Sequence, residues 1–236
     1  MKSPIDGRKI ELLDEVTSTQ DFASKLVLQD EPVGAVLANY QLNGRGRFSR
    51  NWISEPGDSL LSSTIMWAYA DHPKPYLLGM AMSIAVAGAI HARLQWPNDI
   101  VIHGKKVGGT ITEIVQDRNG RKIAIIGLGI NLNQEHFSSE IKDRATSLRL
   151  EFGKTFQPAE VYRSVIQRLI LLPEPEVWEA IQPAWDIFDE TAGKKYKMAN
   201  GVEVTAVGIG SEGQLIASNQ GESEIIYAAD ALFGKQ

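Results

Sequence analysis

The sequence predicts an α+β fold: a mixed or antiparallel sheet with packed helices, followed by a small C-terminal β-barrel. Three observations carry this. β-prone runs are joined mainly by turn signals, with no regular strand–helix–strand alternation. One long stretch, residues 75–90, is small and apolar and reads as a helix buried against a sheet. After Gly193 the composition changes. Residues 196–233 are Gly-rich, with short alternating runs such as Val202-Glu203-Val204-Thr205-Ala206-Val207 and turns at Asn200-Gly201, Glu212-Gly213 and Gln220-Gly221. The expected division is therefore 1–190 and 191–236.

Residues 10–16 read as a short strand after the Asp6-Gly7 turn. Thr17-Ser18-Thr19-Gln20-Asp21 then offers helix caps, with Ser18 and Asp21 at capping-box spacing, and Phe22, Leu26 and Val27 give the helix an apolar face. Glu31-Pro32-Val33-Gly34 ends it, and residues 35–40 form a strand. Residues 60–67 are apolar and Ser/Thr-rich, a further strand. Pro75 opens the long helix, whose Leu77, Met80, Ala81, Ile84, Ala87 and Ala89 are small and apolar. Two strands flank His103-Gly104-Lys105-Lys106, and Asn119-Gly120 between residues 107–115 and 122–131 is a hairpin signal. Residues 158–172 and about 175–188 are helical, the first with Val161, Val165, Ile166, Leu169 and Ile170 at helical spacing.

The chain has 236 residues, 43% hydrophobic and 22% charged, so it can bury an ordinary core. Its net charge of −5 argues against general nucleic-acid binding, which calls for a basic domain. It has no cysteine, which removes disulfides, thiolate metal sites and a cysteine nucleophile together. The N-terminus does not read as a signal peptide, and the longest apolar run, 76–90, is short of the roughly 20 residues that span a bilayer. A cytoplasmic protein without membrane partners is the expectation.

Against this acidic background, Gly44-Arg45-Gly46-Arg47-Phe48-Ser49-Arg50-Asn51-Trp52 packs three arginines, two glycines and an aromatic into nine residues. Glycine lets the backbone approach a ligand and guanidinium forks onto phosphate or carboxylate oxygens, which suits a small anion. A solvated hairpin tip is the plainer alternative. Trp96-Pro97-Asn98-Asp99 is a rigid turn ending in an amide and a carboxylate, or simply a Pro-Asn turn. Gly104-Lys105-Lys106-Val107-Gly108-Gly109 sets lysine at a strand start beside glycines, or is an exposed hairpin lysine. Gly127-Leu128-Gly129-Ile130-Asn131 ends a strand with glycines, either for a ligand or for close backbone packing.

In this order and spacing, the four stretches together resemble the biotin protein ligases. Gly44 to Trp52 matches the family's Gly-Arg-Gly-Arg loop ending in Arg-x-Trp, and residues 96–99 match its Trp-Pro-Asn-Asp. Lys106 to Gly109 and Glu113 match its Lys-(Val/Leu/Ile)-(Ala/Gly/Ser)-Gly segment reaching a Glu, and Gly127 to Asn131 its Gly-x-Gly-Ile-Asn. Ser18-Thr19-Gln20 is similar to its Ser-Thr-Asn, and Gln41 to its Gln before the loop. The likeness covers residues 10–135 and, more loosely, the C-terminal barrel.

The resemblance implies a class II synthetase-like catalytic domain with an SH3-like barrel. It also implies two chemical steps. Biotin's carboxylate attacks the α-phosphate of ATP to give biotinyl-5′-AMP and pyrophosphate, and a lysine of a biotin carboxyl carrier protein then takes the biotinyl group. Carried over residue by residue, biotin falls to Ser18, Thr19, Gln20, Gln41, Arg45, Gly46, Arg47, Lys106 and Gly108. ATP falls to Arg47, Arg50, Trp52, Asn98, Lys106 and Asn131. Lys106, Arg47, Arg45 and Asp99 are implied as catalytic, with Asp99 also a candidate Mg²⁺ ligand or orienter of the acceptor lysine. The arginine loop is expected to close over the adenylate. No DNA-binding partner is implied, since a strand is under way by Ile10 where the repressor branch has a helix-turn-helix, and a homodimer through sheet edges is the expected assembly.

Three positions and one segment depart from the family pattern: Gln95 for Lys, Ser49 for Gly, Gln20 for Asn, and Ala229-Asp230-Ala231-Leu232-Phe233 without the frequent Ser-Leu-Arg. The alternative is a lipoate-type protein ligase, which shares the adenylate chemistry; the Gly-Arg-Gly-Arg loop with Trp52 favours biotin. Octanoyltransferases of the superfamily depend on a cysteine that this chain lacks.

Overall fold

The computed structural model describes residues 5–46, 51–198, 201–219 and 221–226. The main sheet is mixed and seven-stranded. Its strands are β1 (Lys9–Val16), β2 (Val33–Gln41), β5 (Ser59–Ile65), β6 (Arg93–Gln95), β7 (Asp99–Ile102), β8 (Lys105–Gln116) and β9 (Lys122–Asn131), in the order β1-β2-β5-β9-β8-β7-β6. Only β1 and β2 run parallel, because α1 (Thr19–Leu28) crosses between them; every other neighbour pair is antiparallel. Two short pieces, β3 (Gly44–Arg45) and β4 (Asn51–Trp52), pair as the stem of the arginine loop.

The α+β expectation holds, and its elements form for the reasons read from the sequence. Ser18, in extended conformation, caps α1 by accepting from the Asp21 amide at 3.4 Å. The long helix α2 (Tyr76–Ile90) is buried at twelve of its fifteen residues, because it is packed between the sheet and two further helices, α4 (Pro158–Leu169) and α5 (Trp178–Phe188). Its small residues set that distance. A Cβ on Gly79 would collide with Thr112 Oγ1, so glycine allows the close approach seen there. Ser83 bonds both Gly79 O (3.0 Å) and Thr110 Oγ1 (2.9 Å), so the helix's one buried hydroxyl is satisfied.

Several short features were not legible beforehand. The strand expected over 60–67 ends at Ile65, and the chain turns through Trp67–Tyr69, held by Trp67 Nε1 donating to Val33 O at 2.7 Å. The helix expected to reach 172 stops at Leu169, and the next starts at Trp178 rather than near 175. A five-residue helix, α3 (Leu148–Phe152), is capped by Ser147 and closed by Gly153 at positive φ. The loop from β8 to β9 needs more than Asn119-Gly120. Asp117 Oδ1 accepts from the amides of both Asn119 and Arg121 at 2.9 Å and so shapes the whole turn.

The two faces of the sheet are covered unequally. One face joins α2, α4 and α5 in the principal core, through Leu37, Leu60, Ile126, Leu128 and Ile130. Among the described residues the other face meets α1 and Trp67, through a smaller cluster that includes Ala23, Val27, Val36, Ile65, Ile123 and Ile125. The C-terminal region is a four-stranded antiparallel sheet, β10 (Lys195–Lys197), β11 (Glu203–Ile209), β12 (Leu215–Asn219) and β13 (Glu222–Ile226). Its Tyr196, Val204, Leu215 and Ile226 belong to the same continuous core as Trp96 and Trp178. Closure into a barrel would involve Ala229-Asp230-Ala231-Leu232-Phe233, which lies outside the described residues. Among the described residues no helix is long and apolar enough to cross a membrane.

Thr64 Oγ1 and Tyr162 Oη meet at 2.9 Å inside the principal core, both fully enclosed. Tyr162→Phe should cost about 1–3 kcal/mol by urea unfolding, because it strands the threonine hydroxyl. Thr64→Val added to it should recover part of the loss.

Candidate active site

The alternation of β9 decides where the site can lie. Ile123 and Ile125 face α1, so Gly127 and Gly129 follow on the same face, while Ile126, Leu128 and Ile130 point into the principal core. Gly109 of β8 stands opposite Gly129, and Ile111 opposite Gly127. On this face the sheet therefore has a floor of three glycines, Gly127 buried beneath the start of α1 and Gly109 and Gly129 half-buried beyond it. A Cβ on Gly127 would lie 2.7 Å from Ile111 Cγ1 and 2.8 Å from Gln20 Oε1; one on Gly129 would lie 2.8 Å from Trp52 Cε2. The Trp52 indole is thus laid on the backbone of Gly129. Its Nε1 has no hydrogen-bond acceptor among the described residues.

At one side of this floor sits a buried polar cluster from the start of α1. The Thr19 amide and Oγ1 both donate to Gln41 Oε1, at 2.7 and 3.0 Å. The carbonyl end of Gln41 is thereby spoken for, and its Nε2 points at the Gly44 turn, where a Cβ would come within 2.9 Å of it. Gln20 Nε2 donates to Ile125 O at 3.0 Å, tying α1 to β9. Ser63 Oγ lies 2.8 Å from Gln20 Oε1 and 2.9 Å from Thr19 Oγ1, and its one proton serves either acceptor in turn. Sequence reasoning passed over Ser63. The signal was a Ser-Ser-Thr run inside a fully buried strand, where each hydroxyl needs a partner.

At the opposite side stands Lys106. Its Nζ donates to Asp99 Oδ1 at 2.5 Å, and a Cβ on Gly109 would be 3.5 Å from that same Nζ. The lysine therefore lies over the glycine floor, held by a carboxylate from the preceding strand. Its backbone is clamped too: Lys106 N donates to Arg144 O (2.7 Å) and Lys106 O accepts from Thr146 N (2.9 Å). Asn98 Nδ2 donates to Thr110 O at 2.5 Å, and Asn131 Nδ2 to Thr146 O at 3.0 Å, so both amides are fixed by main chain. Gly108 is buried, and a Cβ there would meet Gly129 O at 2.7 Å and Ile130 Cγ1 at 3.3 Å.

The Trp96-Pro97-Asn98-Asp99 turn is buttressed from behind. Trp96 Nε1 donates to Gly213 O (2.8 Å) in the turn between β11 and β12, Trp96 N donates to Thr191 Oγ1 (3.0 Å), and Tyr196 packs edge-on to the Trp96 ring at 6.2 Å. Burial first, then the carboxylates of Asp99 and Asp189, raise the Tyr196 hydroxyl well above its ordinary value, so it stays neutral at any working pH.

Arg45 is placed apart from Lys106. Its Nη2 donates to Asp21 Oδ1 (2.6 Å) on α1 and Glu113 Oε2 (3.1 Å) on β8. Gly46 follows the β3 stem. Arg47 and Arg50 lie outside the described residues. Asp99 Oδ1 is engaged by the Lys106 ammonium, and among the described residues no group of three or more acidic, imidazole or thiol side chains could hold a metal ion.

Residues 12–131 match the model of the Biotin/lipoate A/B protein ligase family. A relative from Bacillus spizizenii, "Bifunctional ligase/repressor BirA", is 32% identical over 99% of this chain and 77% of its own length. A "Biotin--[acetyl-CoA-carboxylase] ligase" from Paracoccus denitrificans is 26% identical over 94% of this chain and the whole of its own. Among solved structures, "Biotin protein ligase from Aquifex aeolicus in complex with biotin and ATP" superposes with a TM-score of 0.74 at 26% identity, covering 97% of this chain and 99% of that one.

Gly129→Ala should lift the Trp52 ring off the floor. Acrylamide quenching of tryptophan fluorescence should rise, and the rise should vanish when Trp52→Phe is combined with it. A stability loss of about 1–3 kcal/mol should accompany the overpacking.

Proposed function

This chain belongs to the Biotin/lipoate A/B protein ligase family, and we propose that within it the protein joins biotin to ATP and then biotin to a carrier-protein lysine. The supporting observation is Lys106, held by Asp99 over a floor of glycines that also carries an indole. The first reaction sets two anions against each other, a carboxylate and a triphosphate. A fixed cation between them lowers the repulsion without having to reorganise during the reaction.

Each end of the floor then has a task. Biotin's ureido ring is a flat group with donors and acceptors at one end. It is assigned to the cluster of Ser18, Thr19, Gln20 and Gln41, where Thr19 turns the Gln41 amide so that its Nε2 is presented as a donor. The valeryl carboxylate would then run toward Lys106. Trp52 is assigned to the adenine, with Asn98 and Asn131 near the nucleotide. Arg47 and Arg50 are assigned to the phosphates. ATP enters as its magnesium complex, the metal arriving with the substrate. Attack of the carboxylate oxygen on the α-phosphorus breaks the bond to pyrophosphate and leaves the mixed anhydride. The acceptor amine next attacks the anhydride's acyl carbon and expels AMP. Asp99 positions Lys106 throughout. No enzyme nucleophile is needed, in keeping with a chain that has no cysteine. The carrier protein as acceptor, and the division into a catalytic unit 1–190 and an accessory unit 191–236, are part of the same proposal.

Incubation with MgATP and either biotin or lipoate should yield biotinyl-AMP, and not lipoyl-AMP, by mass spectrometry; the reverse would favour the lipoate reading. Lys106→Ala should slow adenylate formation by about 100-fold or more, since losing one preorganised contact typically costs about 3 kcal/mol, with its circular dichroism and unfolding midpoint close to the parent's. Undiminished formation would remove the role given to Lys106.

A further inference from the structure

Residues 144–149 have no task in the reaction above, yet they join its two ends. Pairing between β9 and β8 stops at Gly108, and residues 144–146 take the place of β9 beside Lys106, with Ala145 bridged to it. Lys106 N donates to Arg144 O (2.7 Å) and Thr146 N to Lys106 O (2.9 Å). Thr146 O in turn accepts from Asn131 Nδ2 (3.0 Å), and Arg149 N donates to Leu132 O (2.8 Å). One residue, Thr146, thus holds the strand start that bears the ammonium and the amide assigned to the nucleotide. It is only 2% exposed, and its hydroxyl donates to Glu151 Oε1 of α3 at 2.6 Å. The second carboxylate oxygen accepts from His103 Nδ1 at 2.7 Å. His103 lies in the turn of the β7–β8 hairpin, which carries both Asp99 and Lys106.

Resting on the ligase reading, we propose that Thr146 is a positioning residue for adenylate formation, anchored by Glu151. The ladder beside Lys106 cannot do this alone. Ile100 pairs with Gly108 and Val101 with Lys106, so Val107 is an extra residue and the hairpin is irregular where the lysine projects. The main-chain bonds from 144–146 fix that irregular stretch, and the Glu151 carboxylate fixes 144–146. Its side chain keeps only 15% of its surface, so the bond from Thr146 is charge-assisted and largely shielded from water. The cation and the nucleotide amide therefore share one rigid support, which keeps their separation constant as the two substrates meet.

Thr146→Val keeps the shape and removes the hydroxyl, and Glu151→Ala removes the anchor. In the ligand-free protein each should speed hydrogen exchange of the Lys106 and Thr146 amides by about tenfold, as for loss of one charge-assisted hydrogen bond. Amides of β5 and α2 should exchange as before. With biotin and MgATP, single-turnover formation of the acyl-adenylate should slow by about tenfold, less than the roughly 100-fold of a full 1 Å misplacement because Asp99 still holds Lys106. KM for ATP should rise severalfold, and that for biotin should stay within about twofold. The double variant should be no slower than the slower single one. Thr146→Ser and Glu151→Gln, which keep the hydroxyl and an acceptor, should recover most of the rate. If Thr146→Val does not fold, Glu151→Ala carries the same readouts. Faster exchange throughout the core, equal rises in both KM values, no recovery by Thr146→Ser or an unchanged rate would each overturn the proposal. A parent protein that forms no adenylate would sink the ligase reading instead, and the exchange result would still decide whether Thr146 holds Lys106.

Discussion

The structure depends on an asymmetry in how its central sheet is covered. A seven-stranded sheet has two faces to shield from water. Here α2, α4 and α5 seal one of them so fully that α2 is buried nearly all round. The single ten-residue helix α1 shields only part of the other. An exposed floor of apolar side chains would be an aggregation hazard. The chain answers with glycine at 109 and 129, half-buried where α1 no longer covers the sheet, so that ground offers backbone rather than hydrocarbon.

That absence of side chains also leaves the strands' backbone open to close approach. Flat groups can come within van der Waals distance of the strands, as Trp52 does on Gly129. Around the floor, polar groups are fixed by one another instead of by solvent. Thr19 orients Gln41, Ser63 orients Gln20, and Asp99 orients Lys106. Such groups hold their dipoles and charge in place before a ligand arrives, which is the condition under which they contribute most to catalysis. The C-terminal sheet takes part at second hand. By accepting from Trp96 Nε1 through Gly213, it steadies the turn from which Asn98 and Asp99 project.

Much of this was legible in the residues. The α+β class followed from the turn signals and the buried helix from its small apolar residues, and members of the four motifs, Trp52, Asp99, Lys106 and Gly129, stand around one stretch of the sheet. What escaped were contacts without a local signature. Ser63 looked like one hydroxyl among several, and Asp21 like a helix cap. Their partners lie at positions 19, 20, 45 and 113, distant along the chain and brought together only by the register of β5, β9 and β8. Short elements such as α3 and the β3–β4 stem were missed because a few residues carry too little periodicity to read.

By itself, then, the sequence determined which residue types were available: glycines where a strand must be bare, a lysine at a strand start, arginines in a turn, amides and hydroxyls beside a helix cap. Those depend on local chemistry, which neighbours along the chain express. Which face of the sheet each residue occupies, and which charge meets which, was decided by tertiary structure alone. Alternation along a strand fixes parity but not side, and an ion pair such as Arg45 with Asp21 and Glu113 exists only once separate elements are packed together.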